Sequence, residues 1–214
     1  MDNTPHENCP PAPWQLSGSS IQALRLVDSG FARHLVPAGL RVVTVLPGKT
    51  LAVLYCASYE SPSALCYHEL VVAPALVAAG GRIGFWISQI YVDDPVSRAG
   101  GRGIWGLPKE LATFKWQADD REVAAHFGNQ LLCRIRWSGN RVAAPMPLYL
   151  PVVSRGAAGF QFFSGRGSAT VARLDGEVLI EAGGPLSGLG FERTRKLLAA
   201  RRLSLRVGTP RTLR

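Results

Sequence analysis

Lys109 is one of four lysines in the chain, with Lys49, Lys115 and Lys196, against twenty arginines. The two cations differ chemically. A guanidinium stays protonated and cannot attack a carbonyl, whereas a desolvated lysine can lose its proton near neutral pH and act as a nucleophile. Lys109 follows Ile104-Trp105-Gly106-Leu107-Pro108, an apolar stretch whose proline fixes the approach of the chain and removes a competing donor. A lysine held there could form a Schiff base with a carbonyl substrate. Glu69 belongs with it: in Cys66-Tyr67-His68-Glu69-Leu70-Val71-Val72, period-2 alternation puts Tyr67 and Glu69 on one face and His68 on the other. A carboxylate aimed into an apolar interior needs a partner such as Lys109 or an arginine. Arg102 is a candidate either to recognise a substrate carboxylate or to tie down the surrounding glycine-rich loop. The candidate set is therefore Lys109 and Glu69 for catalysis, with Arg102, Trp105 and Tyr67 around the substrate.

The elements that must position these residues read as short strands. Alternation at Ile21 to Val27 is a strand signal, and Asp28-Ser29 offers an N-cap for a short helix from Gly30 to Leu35. Leu40 to Leu46 and Thr50 to Ser58 flank a Pro47-Gly48-Lys49 turn. Leu65 to Val77 and Ile83 to Val92 follow, separated by Gly80-Gly81. Val96 to Gly106 carries a helical turn and delivers Leu107-Pro108-Lys109. Strands resume at Leu111 to Gln117, Val123 to Phe127 and Leu131 to Trp137, with Ala118-Asp119-Asp120 as a turn. Pro145 to Pro151 reads as a loop or an extended edge, and short strands continue at 159–163, 168–174, 177–181 and 203–207. Many short strands without a regular βαβ alternation predict a mainly β, β-rich α+β fold, an antiparallel barrel or sandwich with a few short helices. The expected organisation is a flexible segment over 1–12, a single domain over 13–208 and a basic tail over 209–214.

Composition excludes several classes. With 214 residues, 47% of them apolar, the chain can bury one substantial core. No apolar run approaches the ~20 residues that span a bilayer, and the N-terminus lacks the basic and apolar regions of a secretory signal, so the expected compartment is the cytoplasm. Cys9, Cys56, Cys66 and Cys133 are widely spaced and read as reduced thiols. The four histidines show no metal-ligand spacing, so no metal is expected. The net charge of +9 is concentrated: residues 192–214 carry +7 and the rest only +2. No RNP-type aromatic motif or helix-turn-helix pattern accompanies this basic end, which argues against nucleic acid as the partner.

Tyr91-Val92-Asp93 through Gly101-Arg102 to Leu107-Pro108-Lys109, with Tyr67-His68-Glu69 upstream, resembles the acetoacetate decarboxylase family. The resemblance implies an antiparallel β-barrel-like fold with an interior site, usually in a homo-oligomer, with Lys109 as the Schiff-base lysine, Glu69 as an active-site glutamate and no cofactor. Three departures stand out. Glu110 follows the lysine where the classical enzymes have a second lysine, Gly103 stands where they have glutamate after the arginine, and no arginine lies near Ser19. With no second cation, desolvation must activate the lysine, and Glu110 is expected to face away from the site. Over residues 12–73, Pro13-Trp14, Gly18-Ser19, Leu24 to Val27, Ala57-Ser58-Tyr59 and Glu69 to Val72 are similar to the plant neoxanthin-deficient branch of the same superfamily, linked to xanthophyll formation. The implied activity is cofactor-free decarboxylation of a small or medium β-keto acid through Lys109. The alternatives are a non-decarboxylating binding or accessory protein holding an apolar, carotenoid-related ligand, and Schiff-base aldolase or dehydratase chemistry.

Overall fold

The computed structural model describes residues 9–117, 121–139 and 143–213. The turn expected at residues 118–120 and most of the segment expected to be flexible lie outside them. Within them, β1 (Trp14–Asp28) leads through α1 (Ser29–Arg33) to β2 (Arg41–Val42), β3 (Lys49–Glu60), β4 (Tyr67–Ala73), β5 (Ala75–Ala79), β6 (Arg82–Trp86) and β7 (Gln89–Val92). Then come α2 (Pro95–Trp105), β8 (Lys109–Leu111), β9 (Thr113–Gln117), β10 (Glu122–Phe127) and β11 (Gln130–Ser138). The chain finishes with β12 (Ala144–Gly156), β13 (Gly159–Ile180), β14 (Lys196–Val207) and β15 (Arg211–Thr212).

The mainly β class expected from alternation is what forms. All the strands join in one sheet whose main path runs β2-β5-β6-β12-β13-β14-β1-β3-β4-β7-β8, with β9-β10-β11 and β15 attached to β13. The sheet is mixed and open where an antiparallel barrel was expected. β7 pairs with β8, and β6 with β12, in parallel. The path ends in β2 and β8, strands of two and three residues that have no pairing with each other. The parallel β7-β8 pair needs a crossover, and α2 supplies it.

Several short expected strands are parts of longer ones. Gly159–Ile180 form one strand, β13, which pairs with β12 and β15 near its start, β14 along its middle and β11 at its end. Pro145 to Pro151 lies inside β12. Its prolines at 145, 147 and 151 share one parity, so their missing N–H groups fall on one side of the strand. That side is unpaired there, because β6 joins β12 only at Val152 and Val153. Pro74 splits the run from Leu65 to Val77 into β4 and β5.

Two apolar clusters fill the molecule. The larger includes Leu54, Leu70, Val72, Ile135, Phe191 and Leu197. The smaller gathers around Trp14, Tyr59, Tyr67, Ile90, Trp105 and Leu107, and two of its rings, Trp14 and Tyr67, lie beside the Lys109 ammonium.

Candidate active site

α2 is longer than the helical turn read from its glycine content, and its ends carry familiar signals. Asp94 caps it by accepting from the Ser97 N–H, Pro95 occupies the first turn, and Gly106 closes it in the left-handed region at φ 58°. A Cβ on Gly106 would lie 2.7 Å from the Arg155 carbonyl carbon, so space and φ both require glycine. The buried residues Ser97, Gly100, Gly101 and Trp105 form the i, i+3, i+4, i+8 stripe of one helix face. That face lies against Lys109, which opens β8 immediately after the Leu107-Pro108 turn. A Cβ on Gly101 would sit 2.6 Å from Lys109 Cε. The glycine makes room for the lysine stem.

Strand alternation does the rest. Lys109 is 2% exposed, whereas Glu110, one residue on, faces out and pairs with Arg102. On β4, Tyr67 and Glu69 are both buried and face the lysine, while His68 turns outward to Asp93 Oδ2 at 2.6 Å and stacks on Phe114. β3 adds Tyr55 and Tyr59.

The ammonium of Lys109 has three donors and three acceptors. Nζ lies 2.9 Å from Glu69 Oε2, donates to Ser97 Oγ at 2.9 Å and to the Tyr67 hydroxyl at 3.4 Å, and stands 4.8 Å from the Tyr67 ring centroid. Glu69 in turn accepts from Tyr67 at 3.3 Å and Tyr59 at 3.4 Å, and Tyr59 is bonded to Tyr55 at 3.1 Å. A carboxylate this buried, at 8% exposure, is tolerated because each oxygen is engaged. Burial, reinforced by the Glu69 charge, pushes the phenols of Tyr55, Tyr59 and Tyr67 well above their ordinary range. They remain protonated donors at neutral pH.

Lys109, Glu69 and the three tyrosines border a cavity of about 210 Å³ whose other walls, apart from Gln22, are apolar, including Trp14, Val53, Ile87, Leu150 and Phe163. Among the described residues that line it, Lys109 and Glu69 are the only charged ones. The fold thus brings together Lys109, Glu69 and Tyr67. Trp105 forms a wall, edge-on to Trp14 at 4.7 Å between centroids, with its indole N–H donating to the Gly208 carbonyl at 2.8 Å. Arg102 stands apart from the cavity. Its Nε donates to the Lys109 carbonyl at 2.7 Å and its side chain is about half exposed. It braces the backbone that carries the lysine. Ser97, Tyr59, Tyr55 and Trp14 are site residues that the motif reading did not select. Among the described residues no His, Cys, Asp and Glu cluster gathers as a metal site, and no helix is long and apolar enough to cross a membrane.

The fold thus sets a buried lysine–carboxylate pair at the wall of a largely apolar cavity in a mainly β framework. The chain belongs to the acetoacetate decarboxylase family, whose family model matches residues 2–175. Among curated proteins it is similar to Protein NEOXANTHIN-DEFICIENT 1 of Solanum lycopersicum, 32% identical over 102 residues that make up 48% of this chain and 34% of that protein. The Oryza sativa subsp. japonica protein of the same name is 33% identical over 102 residues, 48% of this chain and 33% of its own. The match thus spans about a third of those relatives' length. Among solved structures, the enduracididine biosynthesis enzyme MppR complexed with pyruvate superposes with TM-score 0.70 at 16% identity, covering 97% of this chain and 92% of that one. Acetoacetate decarboxylase from Legionella pneumophila subsp. pneumophila str. Philadelphia 1 gives 0.65 at 14% identity, covering 95% and 88%. At these identities the likeness is one of fold.

Proposed function

We propose that the protein is a cofactor-free Schiff-base enzyme that decarboxylates a small β-keto acid through Lys109. The observation that carries this reading is the lysine itself: Nζ faces an apolar cavity and touches a carboxylate at 2.9 Å that can take its proton. Transfer of that proton to Glu69 frees the amine. The free amine then adds to the substrate ketone; Glu69 returns the proton to the carbinolamine hydroxyl, which leaves as water and gives a protonated imine. The bond to the carboxyl carbon breaks, its electron pair moves into the imine to form an enamine, and carbon dioxide leaves. Protonation of the enamine carbon, by Tyr67 or by Glu69 once it has taken up a proton from solvent, restores a protonated imine, and water hydrolyses it to the ketone and free Lys109. No arginine lines the cavity among the described residues, so a bound carboxylate is poorly solvated. Its departure as neutral carbon dioxide relieves that cost.

The cavity, at about 210 Å³, falls below the roughly 300–1,000 Å³ of sites for drug-sized ligands. This favours a small keto acid over a carotenoid-sized ligand. A second reading draws on the structural neighbour complexed with pyruvate: the same imine, formed with a 2-oxo acid, would yield an enamine that adds to an aldehyde. Borohydride reduction in the presence of a keto-acid panel, read by mass spectrometry, tests the shared step. An adduct on Lys109, absent from Lys109→Ala, is expected, and no adduct with any keto acid would refute both readings. Carbon dioxide release by the trapped substrates separates them, since only decarboxylation produces it.

A further inference from the structure

The basic C-terminal end has a structural destination that the lysine site does not use. β14 and β15 carry it into the sheet, where Arg206 and Arg211 meet Arg82 from β6 and Arg166 from β13 around a cleft of about 760 Å³. Alternation turns most of this cleft to the opposite face of the sheet from the lysine cavity: Gly165, Leu205 and Val207 line the cavity and Ser164, Arg166 and Arg206 the cleft, with Phe163 bordering both. Arg166 and Arg206 are direct cross-strand partners. Like charges opposite one another destabilise a sheet unless something of opposite sign lies between them. Among the described residues lining the cleft there is no carboxylate, and none of the four guanidiniums has a carboxylate partner among the described residues.

The cleft also has aromatic surface. Arg166 lies 5.3 Å from the centroid of Tyr149, a residue 54% exposed, and Arg82 lies 5.7 Å from that of Phe162. The hydroxyl-bearing residues Ser164, Thr209 and Thr212 also line it. Arginine forks suit phosphate oxygens, and rings and guanidinium planes suit a heteroaromatic base. A bare anion would leave the rings and most of the volume unused, while a volume in the range of small-molecule sites fits an organic phosphate. We propose that this cleft binds a nucleoside polyphosphate, with the phosphates on Arg166 and Arg206 and the base against Tyr149.

The test is anisotropy of a fluorescently labelled ADP titrated with the full chain at low salt, with unlabelled ADP, inorganic pyrophosphate and a single-stranded oligonucleotide as competitors. Saturable binding displaced by ADP is expected. Arg166→Ala and Arg206→Ala should each weaken it by about tenfold or more, because each removes a charge-assisted contact, with melting temperatures of the unliganded chain unchanged or raised as the like-charge pair is relieved. Tyr149→Ala should weaken ADP and leave pyrophosphate untouched. The proposal is overturned if ADP does not bind, if both arginine variants bind as well as the parent, or if pyrophosphate competes as well as ADP and Tyr149→Ala changes neither. It is equally overturned if the oligonucleotide displaces the probe far better than ADP, which would make the cleft a nucleic-acid surface.

Discussion

On the inner face of β13 and β14, Phe163, Gly165, Leu205 and Val207 help wall a cavity that holds one lysine. On the outer face of the same strands, Arg166 and Arg206 stand in water with no carboxylate partner among the described residues. The contrast shows how burial decides what a cation can do. In water a guanidinium keeps its charge at small cost and serves as a fixed positive field. Inside, an unpaired ammonium would be prohibitively expensive, so Lys109 comes with Glu69, Ser97 and Tyr67. That partnership gives its proton somewhere to go. The reactive cation is therefore the sequestered one, and the exposed ones are suited to binding.

The contrast breaks most directly at Lys109. Lys109→Ala should abolish borohydride trapping and lower any keto-acid turnover by roughly a thousandfold or more, and Lys109→Arg should not restore it, because a guanidinium is not a nucleophile. Turnover that survives Lys109→Arg would mean the chemistry does not pass through this amine. Next comes the pair. Glu69→Ala leaves the ammonium buried without its carboxylate and should cost about 3–5 kcal/mol in urea unfolding. Adding Lys109→Met to Glu69→Ala should return most of it. A double variant no more stable than Glu69→Ala would show that the pair is not what holds this region.

Smaller effects refine the cavity side. Gly101→Ala pushes a methyl into the lysine stem and should cost about 1–3 kcal/mol while slowing trapping, since Nζ is displaced from the cavity wall. Equal trapping rates would show that the helix can yield there. Ser97→Ala removes one acceptor of Lys109 and should cost about 1 kcal/mol in urea unfolding. Just past the end of β7, burial raises the Asp93 carboxyl, but the ring and backbone N–H of His68 on β4 outweigh it and hold the group below its ordinary 3.8. The folded state then binds fewer protons than the unfolded one. The contribution to stability is full above the ordinary value and is lost as pH falls through the lower folded value. Urea midpoints measured from about pH 5 down to about pH 3 should fall less in Asp93→Asn than in the parent. Parallel curves would exclude Asp93 from acid unfolding.

Lys109, Glu69 and Tyr67 were legible in the chain because each sits in a local pattern: a proline before the lysine, alternation around the glutamate, and a family motif spanning both. Ser97 and Gly101 were marked only by the helical spacing that runs to Trp105, a signal the glycine content obscured. Arg102 misleads for the same geometric reason. It neighbours Gly101 in sequence but lies about 100° around the helix from it, so it reaches the lysine's backbone and Glu110 instead of the cavity. The 22-residue β13 was hidden because its glycines read as strand ends. In the structure Gly167 lies close against the Ser204 backbone of β14, and Gly176 sits between the Arg136 backbone of β11 and the Leu197 side chain.

The sequence by itself determined the β-rich class, the family motif and the outward turn of Glu110, since these follow from period-2 alternation and short-range chemistry. Only the tertiary structure decided which residues meet. The parallel pairing of β7 with β8, the open edge of the sheet, the tyrosine chain reaching Glu69 and the convergence of Arg82 with Arg166, Arg206 and Arg211 all join segments distant in sequence. Such contacts depend on which strands pair and in what register, and no local spacing encodes that choice.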